Sequence, residues 1–248
     1  MHVFDIEEMN LIIDIGNTAV KAAWADGVTL GKTFRYQGER VRNFILSLTE
    51  KEHPAVMVIS SAYEVSGQDE SAYRKVCGQL VLMDYAHQEV TSSYGLPDWI
   101  TADRAASIIA SRHLFKGKGC TVMDFGTTLT IDFLDSDGNY SGGFISLGCR
   151  TRFKALNRYS RALPLVDMPS VTSEESGAFT GSIVSGVISG IMFEIEGYAS
   201  RYPDNIIVFT GGDANFFAKR MEKPIFVVCN LVLIGLALIA DRYVKKVD

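Results

Sequence analysis

The sequence lacks paired cysteines, blocks of basic residues and a long uninterrupted apolar run, and each absence excludes a class of protein. The four cysteines in 248 residues include no CxxC pair, and the four histidines show no metal-ligand spacing. We therefore expect reduced thiols and no zinc site. The net charge of −5 comes from well-mixed charges, which argues against a nucleic-acid partner.

The N-terminus also lacks the pattern of a secretory signal. Its first nine residues carry acids where a signal peptide has a basic region followed by an apolar stretch. The apolar segment 224–240 is shorter than a membrane span and is interrupted by Pro224 and Asn230, so we predict a buried strand followed by a buried helix. The sequence thus predicts a cytoplasmic protein with no membrane partner.

The pattern of apolar runs and turns occurs twice along the chain. In each half, three short strands precede a helix, and the Lys-Gly repeat at 116–119 separates the halves. We therefore predict an α/β protein with two lobes, 1–116 and 117–248. The predicted strands are 11–15, 19–25, 28–36, 55–59, 120–125, 129–134, 140–147 and 205–209, and the predicted helices are 39–48, 101–115, 152–159, 176–198 and 231–243.

An Asp-x-Gly-x-Thr motif occurs at 14–18 and again at 124–128, each time between two apolar strands. Glycine lets the backbone approach a phosphate group, backbone N–H groups and threonine hydroxyls donate to it, and aspartates organise cations. One such motif is also an ordinary turn. The matched pair, followed by Thr-Gly-Gly-Asp at 210–213, favours a clamp for nucleotide phosphates over the ordinary-turn alternative.

Further motifs follow these turns in a fixed order over nearly the whole chain. Asp14 to Thr18 is followed by Lys21, and the second turn, which continues to Thr130, is followed by Gly-Gly-x-Ile at 142–145. Tyr-Gly-x-Pro at 94–97 leads to Ala-Asp-Arg at 102–104, and Ala-Leu at 155–156, Leu-Pro at 163–164 and a threonine at 180 come later. This combination resembles the ordered motifs of type III pantothenate kinases. The chain departs from that pattern at Thr101, Leu147, Phe179 and Ile234.

The resemblance implies the fold of acetate and sugar kinases, Hsc70 and actin, with two ribonuclease H-like lobes and ATP in the cleft between them. It implies ATP-dependent phosphorylation of the primary alcohol of pantothenate, the first step of coenzyme A biosynthesis. It further implies Mg²⁺ carried by ATP, a monovalent cation (K⁺ or NH₄⁺) and a homodimer.

Roles for individual residues follow from the same resemblance. Asp103 accepts the proton of the attacking hydroxyl and Arg104 holds the polar end of the substrate or the developing charge. Asp124 is the position associated with the monovalent cation. The implied nucleotide-binding residues are Asp14, Ile15, Gly16, Asn17, Thr18, Ala19, Val20, Lys21 and Thr127, and the implied substrate-binding residues are Tyr94, Thr101, Ala102, Asp103, Arg104 and Thr180.

Structural alternatives remain open for several of these residues. Asp103 and Arg104 also suit the first turn of a helix as cap and dipole partners. Asp124 also suits a turn in which backbone amides satisfy the carboxylate. Tyr94 also suits a core position, and Thr180 a helix cap.

Two other functions compete with pantothenate phosphorylation. The first is a non-catalytic accessory or regulatory protein on the same fold, since a fold does not determine a function. The second is an enzyme for another substrate, such as a kinase for a sugar or other small alcohol, or a polyphosphate phosphatase. The presence of Asp103 favours catalysis, and the 94–104 motif argues against the other substrates.

Overall fold

Two mixed five-stranded sheets form the framework of the computed structural model, which describes residues 9–169 and 179–245. The chain divides into two compact units, and each contains one sheet with its helices. The first unit comprises the chain up to Leu114 together with the chain from Asn230, and the second is Phe115–Cys229. The predicted α/β class with two ribonuclease H-like lobes is confirmed.

The elements alternate along the chain much as the sequence predicts. The strands are β1 (Asn10–Ile15), β2 (Val20–Asp26), β3 (Thr29–Tyr36), β4 (Val56–Ser61), β5 (Gln79–Met83), β6 (Cys120–Phe125), β7 (Thr128–Leu134), β8 (Tyr140–Leu147), β9 (Ile206–Gly211) and β10 (Ile225–Val227). The helices are α1 (Val41–Leu48), α2 (Gly67–Arg74), α3 (Glu89–Ser93), α4 (Ala102–Leu114), α5 (Cys149–Tyr159), α6 (Phe179–Arg201), α7 (Ala214–Ala218) and α8 (Leu231–Val244).

The sheet of the first unit has the strand order β3-β2-β1-β4-β5. Its central strand β1 pairs antiparallel with β2 and parallel with β4, and β5 is parallel to β4. Leu11 and Ile13 on one face pack in a core with Ile45 of α1 and Tyr73 of α2. Since successive side chains of a strand point to opposite faces, Asp14 lies on the other face, where α4 and α8 pack.

Helix α8 belongs to the first unit although it follows the whole second unit in sequence. The compact units therefore differ from the predicted division 1–116 and 117–248 at the last helix. The physical reason is the apolar surface of α8, which is buried against α4, β1 and β4. Gly235 makes this packing close, because a Cβ at this position would clash with the carbonyl oxygen of Ala106 in α4.

The sheet of the second unit has the order β10-β9-β6-β7-β8. Its central strand β6 pairs antiparallel with β7 and parallel with β9, which reproduces the arrangement around β1. Helices α5, α6 and α7 supply the core residues that pack on this sheet. Phe125 of β6 contacts Phe209 of β9 and Phe217 of α7, with ring centroids 4.7 and 5.1 Å apart.

The predicted strands and the longer helices are confirmed, with shifted ends. The strand predicted as buried within 224–240 is β10, which is partly exposed, with Phe226 51% exposed, because it lies at the edge of its sheet. Helix α4 begins one residue later than predicted, and α5 begins at Cys149 and not at residue 152. Residues 176–178 of the predicted helix 176–198 lie outside the described residues, and α6 continues to Arg201. The elements α2, β5, α3 and α7 were not predicted.

Within residues 9–169 and 179–245, α6 is the single helix whose length and apolar composition would allow it to cross a membrane. By itself this is weak evidence, since a core helix of a soluble protein also meets these criteria. Only 28% of its apolar window is buried within the chain. In the same described ranges, no three His, Cys, Asp or Glu side chains cluster in a way that could hold a metal ion.

The contact between α4 and α8 predicts a sharp difference between two glycine substitutions. Gly235→Ala forces the helices apart, and we expect the melting temperature to fall by about 3–10 °C, the effect of overpacking a core. Gly67→Ala in α2 is the matched control, because a Cβ there meets no atom within 4 Å; alanine should leave stability equal or higher. Calorimetry that finds the two variants equally stable would contradict this packing.

Candidate functional site

The first acidic turn joins β1 to β2 at the end of the central strand. Asp14 and Ile15 are the last residues of β1, and Val20 and Lys21 open β2. The N–H of Gly16 donates to the carbonyl of Ala19 at 3.1 Å, which closes the turn. Asn17 and Thr18 at its tip are exposed, so eight consecutive predicted nucleotide-binding residues form one hairpin.

Asp14 lies in a row of polar residues across three strands. In the sheet register it is opposite Lys21 of β2 and Ser60 of β4, so the three side chains share one face. The Ser60 hydroxyl donates to Oδ1 of Asp14 at 3.2 Å, and both residues are buried. The sequence analysis missed Ser60, because its role depends on the pairing of β1 with β4.

The stretch of chain that leads to the predicted substrate residues 94–104 begins at the carboxyl end of β5, in the same parallel set as β1 and β4. Asp84 follows β5 with a buried carboxylate, which accepts from the N–H groups of Val65, Ala86 and His87 and contacts His87 Nδ1 at 2.8 Å. Burial alone would raise the pKa of Asp84, but these hydrogen bonds outweigh it and hold the pKa below its usual value. Asp84 thus fixes the start of the segment.

Tyr94 follows α3 and is half-buried. Its carbonyl accepts from the Arg112 guanidinium of α4 at 2.8 Å, and the Arg242 guanidinium of α8 lies 4.8 Å from its ring centroid. Gly95 comes next with φ of +67°, a conformation that glycine adopts without a steric penalty. The segment turns there towards α4.

Asp103 and Arg104 lie in the first turn of α4, directly after Thr101. The carbonyl of Thr101 accepts the N–H of Ala105, and Ala102 is buried. Asp103 is exposed, and its Oδ1 accepts the N–H of Arg104 at 2.8 Å. The carboxylate therefore caps the helix and still faces solvent, so the capping alternative and a chemical role are compatible.

The Arg104 side chain is buried, in contrast to its neighbour. Its guanidinium lies 5.9 Å from the ring centroid of Trp99, which is 62% exposed. Trp99 was not among the predicted site residues. It is positioned by the bend between Pro97 and α4, where the N–H of Ile100 donates to the carbonyl of Pro97.

The second acidic turn, between β6 and β7, is shorter than the first. Only Gly126 and Thr127 separate the two strands, and the N–H of Gly126 donates to the carbonyl of Thr128 at 3.0 Å. Asp124 is opposite Thr130 of β7 and Thr210 of β9. The two hydroxyl-bearing side chains thus share a sheet face with Asp124.

Two close approaches hold this second turn. A Cβ at Gly148, which precedes α5, would lie 2.8 Å from the carbonyl oxygen of Thr127. That oxygen accepts from the Gly148 N–H at 3.0 Å and from the Thr151 hydroxyl at 2.6 Å. Gly211, with φ of +94°, lies against Asp124 and Phe125, and a Cβ there would come within 2.6 Å of the Phe125 nitrogen.

Asp213 follows β9 and lies beside the end of β6. Its N–H donates to the carbonyl of Phe125 at 3.2 Å. Burial raises the pKa of the Asp213 carboxyl, and the nearby positive charge of Arg150 opposes the shift. Burial likewise raises the pKa of the Cys149 thiol to about 12, with Asp213 adding to the effect, so this cysteine stays protonated at neutral pH.

The structure brings together some of the predicted site residues and leaves others apart. In the first unit the hairpin 14–21 follows β1, and the chain that leads to residues 94–104 follows β5, a parallel strand separated from β1 by β4. In the second unit Asp124 and Thr127 share the β6–β7 turn. Thr180 lies in the first turn of α6 with an exposed side chain, and none of the described contacts links it to that turn.

The chemistry of these groups suits transfer of a charged phosphoryl group. Exposed turn amides and threonine hydroxyls can donate to phosphate oxygens. A carboxylate held at a strand end can accept a cation, and an exposed carboxylate at a helix start can accept a proton from an alcohol. Each unit presents one acidic turn of this kind.

A solved structure with the same architecture is component A of (R)-2-hydroxyglutaryl-CoA dehydratase from Acidaminococcus fermentans. It matches with a TM-score of 0.59 at 14% sequence identity, covering 96% of this chain and all of that one. At this identity the likeness concerns the fold alone. The chain has the fold of actin-like ATPases.

Sequence comparisons are more specific. A type III pantothenate kinase of Cytophaga hutchinsonii is 35% identical over 232 residues, 92% of this chain and 97% of the relative. A type III pantothenate kinase of Flavobacterium johnsoniae is 32% identical over 248 residues, 97% of this chain and 99% of the relative. The family model described as type III pantothenate kinase matches residues 10–201. The chain belongs to the type III pantothenate kinase family.

Proposed function

We propose that this protein transfers the γ-phosphoryl group of ATP to the primary alcohol of pantothenate, forming 4'-phosphopantothenate at the start of coenzyme A biosynthesis. Membership of the family and the full-length match to its relatives support this activity. The observation that carries the proposal is the exposed Asp103 carboxylate in the first turn of α4.

ATP is bound in this proposal by the hairpin from Asp14 to Lys21 and by Thr127 of the second turn. The exposed tips of both turns support this assignment, since N–H groups and hydroxyls are the donors that phosphate oxygens accept from. Asp14 would hold the Mg²⁺ that ATP carries, and the ion would neutralise charge on the phosphate oxygens. Mg²⁺ commonly takes one or two carboxylates plus substrate phosphates, which fits the single carboxylate held there by Ser60.

Asp103 is the general base in this mechanism. The carboxylate accepts the hydroxyl proton of pantothenate as that oxygen attacks the γ-phosphorus, and the bond from phosphorus to the bridging oxygen of ADP breaks. Arg104 holds the polar end of the acceptor. Tyr94, Thr101, Ala102 and Thr180 line the acceptor site, and for Thr180 the described contacts offer no independent support.

A monovalent cation, K⁺ or NH₄⁺, is bound by Asp124 in this proposal. The half-buried carboxylate at the end of β6 lies beside the backbone of Gly211 and Phe125. Carboxylate and carbonyl oxygens are suitable ligands for such hard cations. The turn-aspartate alternative predicts no effect of the cation on activity.

We also propose a homodimer formed through α6. One face of this helix packs on its own unit through Ile183, Val187 and Ile191. The other face leaves Phe193 70% exposed and Phe179 60% exposed. Exposed apolar patches of this kind mark association surfaces. A cytoplasmic location, without a nucleic-acid or membrane partner, remains the prediction made from the sequence.

Asp103→Asn should lower the rate of pantothenate phosphorylation by about 10²–10⁴-fold, because the variant loses a general base while its size is unchanged. The rate is measured with purified protein, Mg-ATP and K⁺, and circular dichroism verifies the fold. Asp98→Asn, an exposed aspartate of the same segment, should retain activity. If the wild type phosphorylates sugars or polyphosphate and leaves pantothenate untouched, the proposed function is wrong.

Replacement of K⁺ by tetramethylammonium should lower the wild-type rate severalfold, since that ion cannot be coordinated by carboxylate oxygens. In Asp124→Asn the rate should be low with either ion, because the anionic ligand is gone. Asp137→Asn, an exposed hairpin aspartate in the same unit, should respond to K⁺ as the wild type does. A wild-type rate that is independent of the monovalent cation excludes the cation site.

Phe193→Asp should convert the dimer into a monomer, since it would bury a charge in the proposed interface. Sedimentation velocity measures the change in mass. Tyr85→Asp alters another exposed aromatic side chain, 88% exposed in the first unit, and should leave the dimer intact. A monomeric wild type at micromolar concentration would rule out the assembly.

A further inference from the structure

Tyr94 is held from two sides by arginines that come from distant parts of the chain. Arg112 in the last turn of α4 donates to its carbonyl at 2.8 Å. Arg242 in the last turn of α8 places its guanidinium 4.8 Å from the ring centroid. The second contact joins the C-terminal helix to the segment that carries the proposed acceptor-binding residues.

The local backbone does not fix the Tyr94 side chain by itself. Tyr94 follows the five-residue helix α3, and Gly95 turns the chain immediately afterwards. The ring is only half-buried, so core packing limits its rotamers on one side only. The Arg242 guanidinium lies within the distance at which a cation is attracted to an aromatic face.

We propose that Arg242 is a positioning residue for the acceptor, acting through the Tyr94 ring. The inference rests on the proposed function, since it takes Tyr94 as part of the pantothenate site. Arg112 anchors the backbone of Tyr94, and Arg242 covers one face of its ring. The hydroxyl and the remaining face of Tyr94 are thereby kept in one orientation for the acceptor.

Arg242→Gln should raise the KM for pantothenate about two- to five-fold, the loss of one exposed cation–π contact. The kcat and the KM for Mg-ATP should be unchanged, because no nucleotide group is involved. Arg242→Lys retains a cation and should restore part of the affinity. Lys245→Gln is the matched control and should leave the KM for pantothenate unchanged: Lys245 is the C-cap residue of the same helix and pairs with Asp241 at 2.6 Å.

A double-mutant cycle separates action through the ring from direct contact with the acceptor. Pantothenate binding is measured by calorimetry, so that slow variants remain usable. In the Tyr94→Phe protein, which keeps the ring, Arg242→Gln should weaken binding as in the wild type. In the Tyr94→Leu protein, which lacks the ring, Arg242→Gln should not weaken pantothenate binding further.

Three results distinguish failure of the inference from failure of the proposed function. If Arg242→Gln weakens pantothenate binding equally in the Tyr94→Phe and Tyr94→Leu proteins, Arg242 does not act through the Tyr94 ring. An unchanged KM in Arg242→Gln, with normal pantothenate phosphorylation by the wild type, overturns the positioning role alone. Absence of pantothenate phosphorylation in the wild type overturns the proposed function itself.

Discussion

The central strand of each sheet has two different neighbours, and the rest of each candidate site depends on this constraint. β1 pairs antiparallel with β2 and parallel with β4, and β6 has the same relation to β7 and β9. The antiparallel strand comes next in sequence, so the chain must turn just after the aspartate. The parallel strand places a hydroxyl-bearing side chain opposite the aspartate in the sheet. Ser60 therefore faces Asp14, and Thr210 faces Asp124. One pairing rule thus yields an acidic turn with a hydroxyl neighbour in both units.

The two turns nevertheless differ in length and in what holds them. The first has four residues between its strands, two of them exposed, whereas the second has two residues and is held by Gly148 and Thr151. A longer turn offers more N–H groups to a polyphosphate, and a shorter one fixes its aspartate and glycine more closely. This difference agrees with the proposed division between a nucleotide hairpin and a cation carboxylate. The two copies of the sequence motif are identical at its three defining positions, Asp, Gly and Thr, so the motif alone does not reveal this difference.

The fold and the acidic turns could be predicted because their determinants are local. Apolar runs that end in Asp-x-Gly-x-Thr identify the hairpins, and the order of the later motifs identifies the family. Features that depend on tertiary pairing could not be predicted. Ser60 becomes relevant only through the register of β4, and Arg242 only through the return of α8 to the first unit.

The return of α8 also has a consequence for the order in which the protein is made. The second unit is continuous in sequence, from Phe115 to Cys229, and all its strands have been synthesised before α8 emerges. The first unit has its five strands early, but the helix that covers β1 and β4 is the last element that the structure describes. Domains fold largely as units during synthesis. The first unit is therefore completed only after the second, because its sheet depends on a helix that is synthesised after the whole second unit.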